Sequence, residues 1–175
     1  MKVRRIIIIS LLAALAAVIA GSLIYAAASV NAAKKTCEKY LALESRSVLP
    51  PEYCFENENL TMDDRTFDAL IDSLCGEAAP LTTDSGLRKY RELITSTLKK
   101  QAAKEFTVSR REIEVREWSK IKFVAVDEIE FTVELEERVT LYLPIDGVIS
   151  KDPYDRTVQR YTFTLKNVSG SWKIS

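Results

Sequence analysis

Hydrophobic and polar positions along this chain follow three different spacings, and each spacing predicts a different kind of element. From Ile6 to Ala28 the run IIIISLLAALAAVIAGSLIYAAA carries no charge. As a helix rising about 1.5 Å per residue it spans roughly 35 Å, more than the ~30 Å hydrocarbon core of a bilayer. A soluble body of this size has too little surface to bury such a helix on every side. Beyond it, Ala33, Cys37, Tyr40, Leu41 and Glu44 recur at three- and four-residue spacing, with Lys34, Lys35, Glu38 and Lys39 on the other faces. That spacing predicts an amphipathic helical stalk ending near Ser47, where Pro50-Pro51 and an Asn/Glu cluster impose a loop.

Two further helices are predicted. Thr61 precedes a stretch with Asp63 and Asp64 in its first turn, where carboxylates favour the free amides and the helix dipole. Phe67, Leu70, Ile71, Leu74 and Cys75 form its apolar stripe, and Gly76 is the expected stop. After Pro80, Thr83 or Asp84 caps a helix with Leu87, Tyr90, Ile94 and Leu98 on one face, running to about Glu105.

From Phe106 the period becomes two, clearest where Ile129, Phe131, Val133 and Leu135 alternate with Glu128, Glu130, Thr132 and Glu134. Strands are expected near Phe106 to Trp118, Lys120 to Val126, Ile129 to Leu143, Thr157 to Lys166 and Trp172 to Ile174. Glu136-Glu137 interrupts the alternation and suggests a bulge. Ile145-Asp146-Gly147 and Asp152-Pro153-Tyr154 suggest a long connection, and Ser169-Gly170 a tight turn. The fold class is therefore α+β: an N-terminal transmembrane helix, then helices packed on a curved antiparallel sheet of four or five strands. Its expected divisions are 1–28 for a basic stub and anchor, 29–60 for stalk and loop, and 61–175 for the α+β domain.

Charge sets the orientation. Lys2, Arg4 and Arg5 flank the apolar run, and the positive-inside preference keeps the N-terminus cytoplasmic and the body extracytoplasmic. Ala26-Ala27-Ala28 also offers the small residues of a signal-peptidase site, so secretion after cleavage near Ala28 is the alternative; the length of the run favours an uncleaved anchor. The whole chain has 25 Lys+Arg and 25 Asp+Glu. Without the N-terminal bases the body is mildly acidic with mixed signs, which gives nucleic acid no electrostatic footprint.

The absence of histidine excludes histidine dyads and histidine-ligated metals. Cys37, Cys54 and Cys75 leave an odd count. Outside the cytoplasm a Cys54 to Cys75 bridge is the candidate disulfide, with pairings through Cys37 open and buried free thiols the alternative. No C-x-x-C and no calcium or phosphate loop stands in the chain, so no cofactor, metal or catalytic residue is assigned.

Tyr90, Trp118 and Trp172 are candidate pocket residues, a phenol and two stacking rings, although helical spacing and strand position favour core packing for all three. Arg91-Glu92 reads as a solvated face and Asp127-Glu128 as a turn. The acidic row Glu128, Glu130, Glu134, Glu136 and Glu137 reads first as a solvent face, with recruitment of a basic partner as the functional alternative.

The order of elements and the ending TFTLKNVSGSWKIS resemble the nuclear transport factor 2-like superfamily, also called the cystatin-like cone fold. Gly170, Trp172, Lys173 and Ile174 carry the likeness to membrane-anchored bacterial members, with Tyr161, Phe163 and Leu165 on the partner strand. Membership implies a conical pocket between sheet and helix, used by some relatives for ligands or catalysis and by others for assembly. An anchor before such a domain also looks like the inner-membrane scaffold subunit of type IV secretion and conjugation machines. The reading that follows is a membrane-anchored, non-catalytic interaction module with an envelope protein, or itself, as partner. The alternative is a small-molecule-binding or enzymatic cone pocket.

Overall fold

One unbroken helix, α1 (Lys2–Ser45), carries the chain from the apolar run into the body. The computed structural model describes residues 2–53, 61–145 and 148–175, with side chains described at 10–53, 61–142 and 156–175. Among the described side chains in the first half of α1, the large apolar ones, Leu12, Val18 and Leu23 among them, stand exposed. The helix has the length and composition of a membrane span or a signal sequence. In its second half Ala33, Cys37, Tyr40, Leu41 and Leu43 are buried. The expected stalk is thus the central helix of the core: its three- and four-residue spacing serves a sheet folded around it, and amphipathic spacing alone does not distinguish the two.

Helix α2 (Asp64–Ala78) starts where Asp63 accepts the Thr66 amide at 2.7 Å. It runs through Gly76, the expected stop, and ends in a 3-10 turn over Ala79–Leu81 that holds Pro80. Proline, lacking an amide and fixing φ, terminates the helix where glycine only permits termination. Helix α3 (Asp84–Ala102) is capped by Thr83, whose side chain accepts the Gly86 amide at 3.2 Å.

Strands β1 (Thr107–Ala125), β2 (Glu128–Ile145), β3 (Val148–Val168) and β4 (Ser171–Ile174) form one antiparallel meander in the order β1-β2-β3-β4. The two strands expected between Phe106 and Val126 are one, β1, carrying register shifts at Val108/Arg110, Val115/Glu117, Trp118/Lys120 and Phe123/Ala125. Each places an extra residue on β1, which lengthens that edge, increases local twist and curls the sheet around α1. Glu136 and Glu137 pair regularly with Glu114 and Ile113, so no bulge lies there and Glu137 continues the inward row begun by Leu135. Asp152, expected in a connection, pairs with Leu141 within the β2–β3 ladder, beside a register irregularity. There β3 has no β4 partner, and an edge tolerates the missing amide of Pro153. Asp146-Gly147 lies outside the described residues. The Ser169-Gly170 turn joins β3 to β4 with φ of 52° and 86°, the primed geometry that matches strand twist, and Asn167 Oδ1 accepts the Gly170 amide at 2.9 Å.

The core lies between the concave sheet face and the helices. Ile129, Phe131 and Leu165 from the sheet meet Tyr90, Ile94 and Leu98 of α3, with Trp172 and Ile174 closing one end. Burying each large apolar side chain contributes about 1.5–3 kcal/mol. Trp118 and Phe131 meet edge to face at 5.2 Å. Thr83 N–H donates to the Ile174 carbonyl at 2.7 Å, tying the start of α3 to the last strand.

Candidate functional site

At the end of the sheet away from the apolar half of α1, the inward rows stop being purely apolar. Arg111 of β1 pairs with Val139, and Ile113 with Glu137, so strand parity points both charged side chains at the concave side. Glu44, in the last turns of α1, completes the group. Arg111 Nε lies 2.6 Å from Glu137 Oε1 and its Nη2 3.4 Å from Glu44 Oε1, with exposures of 20%, 17% and 21% for Arg111, Glu44 and Glu137. Arg111 Nη1 also donates to the Glu44 backbone carbonyl at 3.2 Å, so one planar guanidinium ties the C-terminal end of α1 to two strands.

Two adjoining cavities of about 180 and 340 Å³ open on either side of this ion group. Tyr40, Ile113, Leu135, Gln159 and Phe163 line the smaller, and Ser47, Thr97, Gln101, Phe106, Val108 and Val139 the larger. Glu44, Leu93, Arg111, Glu137 and Tyr161 line both. Burial pushes the Glu44 carboxyl above its ordinary value, and Arg111 only partly offsets this. Burial also raises the Tyr40 and Tyr161 phenols, and the Tyr161 hydroxyl donates to Gln159 Oε1 at 2.8 Å. Gln101 is fully buried; its Oε1 accepts the Val108 amide at 3.3 Å, while its Nε2 and the Thr107 hydroxyl have no hydrogen-bond partner among the described residues. The Val108 amide fixes the side-chain orientation, since only the oxygen can accept from it.

The expected pocket residues lie elsewhere. Tyr90 and Trp172 are buried in the main core and Trp118 packs against it; none lines either cavity. The Tyr90 hydroxyl is 3.0 Å from Ser47 Oγ, its ring meets Tyr40 edge to face at 5.6 Å, and Lys34 Nζ sits 5.0 Å from the Trp118 ring centroid. Arg91 pairs with Asp72 at 2.8 Å on the surface. The turn at Val126-Asp127 places Asp127 and Glu128 at a strand connection, as expected.

The acidic row is divided rather than free. Glu137 faces inward, while Glu136, on the convex face and 3% exposed, is enclosed by Arg116 at 2.6 Å and by Arg138 and Arg156 at 2.9 Å. A hydrogen bond from Arg156, then one from Arg138 and the nearby guanidinium charges, hold its carboxyl at about 2. Glu128 pairs with Lys166 at 3.6 Å. Basic residues therefore pair with Glu128, Glu136 and Glu137, three of the five acids of this row.

Cys37 and Cys75 are buried free thiols. Burial pushes Cys37 up to about 12 and raises Cys75, so neither is a ready nucleophile. Cys54 lies outside the described residues, and with it the Cys54 to Cys75 pairing. Among the described residues, no three acid or cysteine side chains converge as metal ligands.

Position along β1 and β2 gives a sequence signal for Arg111 and Glu137, since each extends an inward apolar row. Nothing local marks Glu44 as their partner. No protein-family model matches the chain, and no curated protein matches it. Among solved structures, the intermembrane space region of the chloroplast protein ARC6 aligns with 13% identity over 82% of this chain and 89% of that one, at a TM-score of 0.45. A likeness at that level carries no argument about function.

Proposed function

We propose that this protein is a membrane-anchored, extracytoplasmic and non-catalytic interaction module of the cell envelope, N-terminus cytoplasmic, built on a nuclear transport factor 2-like domain. One observation carries the proposal: α1 is continuous from its exposed apolar half to its buried half. A helix without a hinge holds the domain at a set height and tilt over the bilayer, which suits a scaffold that presents a surface. A helix cradled by a curled antiparallel meander supports the family reading, and the N-terminal bases support the orientation. The partner in this reading is another envelope protein or a second copy, in an assembly of the secretion or conjugation kind.

The cleft is the observation that favours a second reading, binding of a small molecule. Its charged groups are held by one another, and the Gln101 amide offers N–H donors beside apolar walls, an arrangement that fits binding better than acid-base chemistry. Chemical cross-linking of intact cells, followed by mass spectrometry of the adducts of this chain, tests the main reading. Reproducible adducts joining convex-face lysines such as Lys120 or Lys122 to one envelope protein or to a second copy are expected. A chain that is monomeric and free of adducts in native membranes would leave the small-molecule reading in its place.

A further inference from the structure

The contacts between α1 and β1 fix how high the sheet reaches along the helix. Arg111 meets Glu44, and seven residues later Trp118 meets Lys34, ten residues back along α1. Strand β1 therefore climbs toward the apolar half of α1. Over that interval the strand advances roughly 23 Å along its own path, and the helix about 15 Å. Beyond Trp118, the eight residues to Val126 carry the β1–β2 turn further toward the apolar run, and the body covers α1 as far as Ser29.

That end of the sheet carries several uncovered apolar side chains beside the exposed Asp127 of the turn. Val126 is 80% exposed, and Ile121, Phe123 and Val124 are 43%, 44% and 47% exposed. The Asn167 amide donates to the Asp127 carbonyl at 2.7 Å, which brings the exposed Val168 and the β3–β4 turn alongside. Lys120 and Lys122 stand exposed just behind the tip. Single exposed apolar residues need no explanation, whereas several gathered at one hairpin tip beside an apolar helix do.

We propose that the β1–β2 hairpin tip is a second membrane contact, dipping into the interface of the same bilayer that holds α1. This rests on the anchor reading. The occupant is lipid because β1 climbs toward the exposed apolar residues of α1, so the interface of a bilayer that surrounds Leu23 and Ile24 lies at the level the tip approaches. The depth fits. Interfacial apolar side chains bury about 5–10 Å, within reach of a tip near the Ala28 end of the run. Lys120 and Lys122, exposed on the opposite strand face from Ile121 and Phe123, stand where ammonium groups can reach phosphate. Two attachments, helix and hairpin, stop the domain from rotating freely about the anchor axis and select which sheet face points away from the membrane.

A photo-crosslinking residue introduced separately in place of Ile24, Val126 or Leu93 tests this in the full-length protein, reconstituted in vesicles of phosphatidylcholine and phosphatidylglycerol. Leu93 is exposed on α3 at the far end, beside the cleft. Lipid adducts at 24 and 126 in comparable yield, with none at 93, are expected. Lipid adducts at 24 alone would overturn the hairpin contact and leave the anchor standing. Absence at both 24 and 126 would overturn both readings. An adduct at 126 with a second copy of the chain would assign the tip to self-association instead. The variant Val126→Asp with Phe123→Asp, probed from Val124, separates the contact from mere proximity: the lipid adduct at 124 should fall several-fold while that at 24 is unchanged.

Discussion

Replacing Arg111 with methionine keeps most of the side-chain volume and removes the cation that holds Glu44 and Glu137. Both carboxylates then face the cleft with 17% and 21% exposure and no guanidinium between them. Breaking a fully buried pair costs about 3–5 kcal/mol. With roughly a fifth of each group still in water, about 2–3 kcal/mol is the expected loss of unfolding free energy near neutral pH. The loss has a definite pH dependence. Burial already raises Glu44, and without Arg111 its folded-state pKa rises further above its unfolded value. Stability with a raised folded pKa is fully present below the unfolded pKa and is lost as pH rises through the folded one. Arg111→Met should therefore be most destabilising above neutrality and approach wild type near pH 4. Adding Glu44→Gln and Glu137→Gln should restore most of the loss at high pH. Urea unfolding of the full chain in detergent, followed through Trp118 and Trp172 fluorescence at several pH values, measures this. A pH-independent loss, or no recovery in the triple variant, would refute the ion group as described.

Gly86→Ala should destabilise by about 1–3 kcal/mol, because a Cβ there would stand 2.4 Å from the Ile174 carbonyl oxygen; the same unfolding assay reads it, with Gly76→Ala, which meets no atom within 4 Å, as control. Tyr90→Phe removes the buried hydrogen bond to Ser47 and should cost about 1 kcal/mol with no change in the circular dichroism spectrum. Glu136, held at about 2 against an ordinary 4.5, contributes stability that is present above 4.5 and lost as pH falls toward 2; in Glu136→Gln the acid side of the stability profile should be flatter. Cys37 and Cys75 should react with a thiol reagent at pH 8 only at the rate of unfolding, and immediately in denaturant.

Much of the fold was legible because its signals are local. Asp63 and Thr83 cap their helices through side-chain oxygens, and the alternation from Ile129 to Leu135 survives intact in the central strand, which has ladder partners on both sides. The edge strand was harder to read. Its inward row is Arg111, Ile113, Val115, Trp118, Ile121 and Phe123, whose spacing slips from two to three at each bulge, and bulge positions depend on the partner strand. The α1 pattern from Ala33 to Leu41 predicts one buried stripe and cannot say whether a stalk partner or a sheet covers it. The cleft was least legible. Glu44 and Arg111 are 67 residues apart, and a half-buried ion pair on neighbouring elements leaves no periodic trace. Residue type makes Tyr90, Trp118 and Trp172 candidates for a pocket, yet their size favours the core, where burial contributes most.

The central claim, a domain carried on an uncleaved membrane helix that runs into its own core, is tested most directly by the intact mass of the protein recovered from membranes after alkaline carbonate washing. A full-length chain that still includes Ile6 to Ala28 and is released only by detergent is the result expected. A chain beginning near Ser29, found in the wash or in the medium, would contradict it.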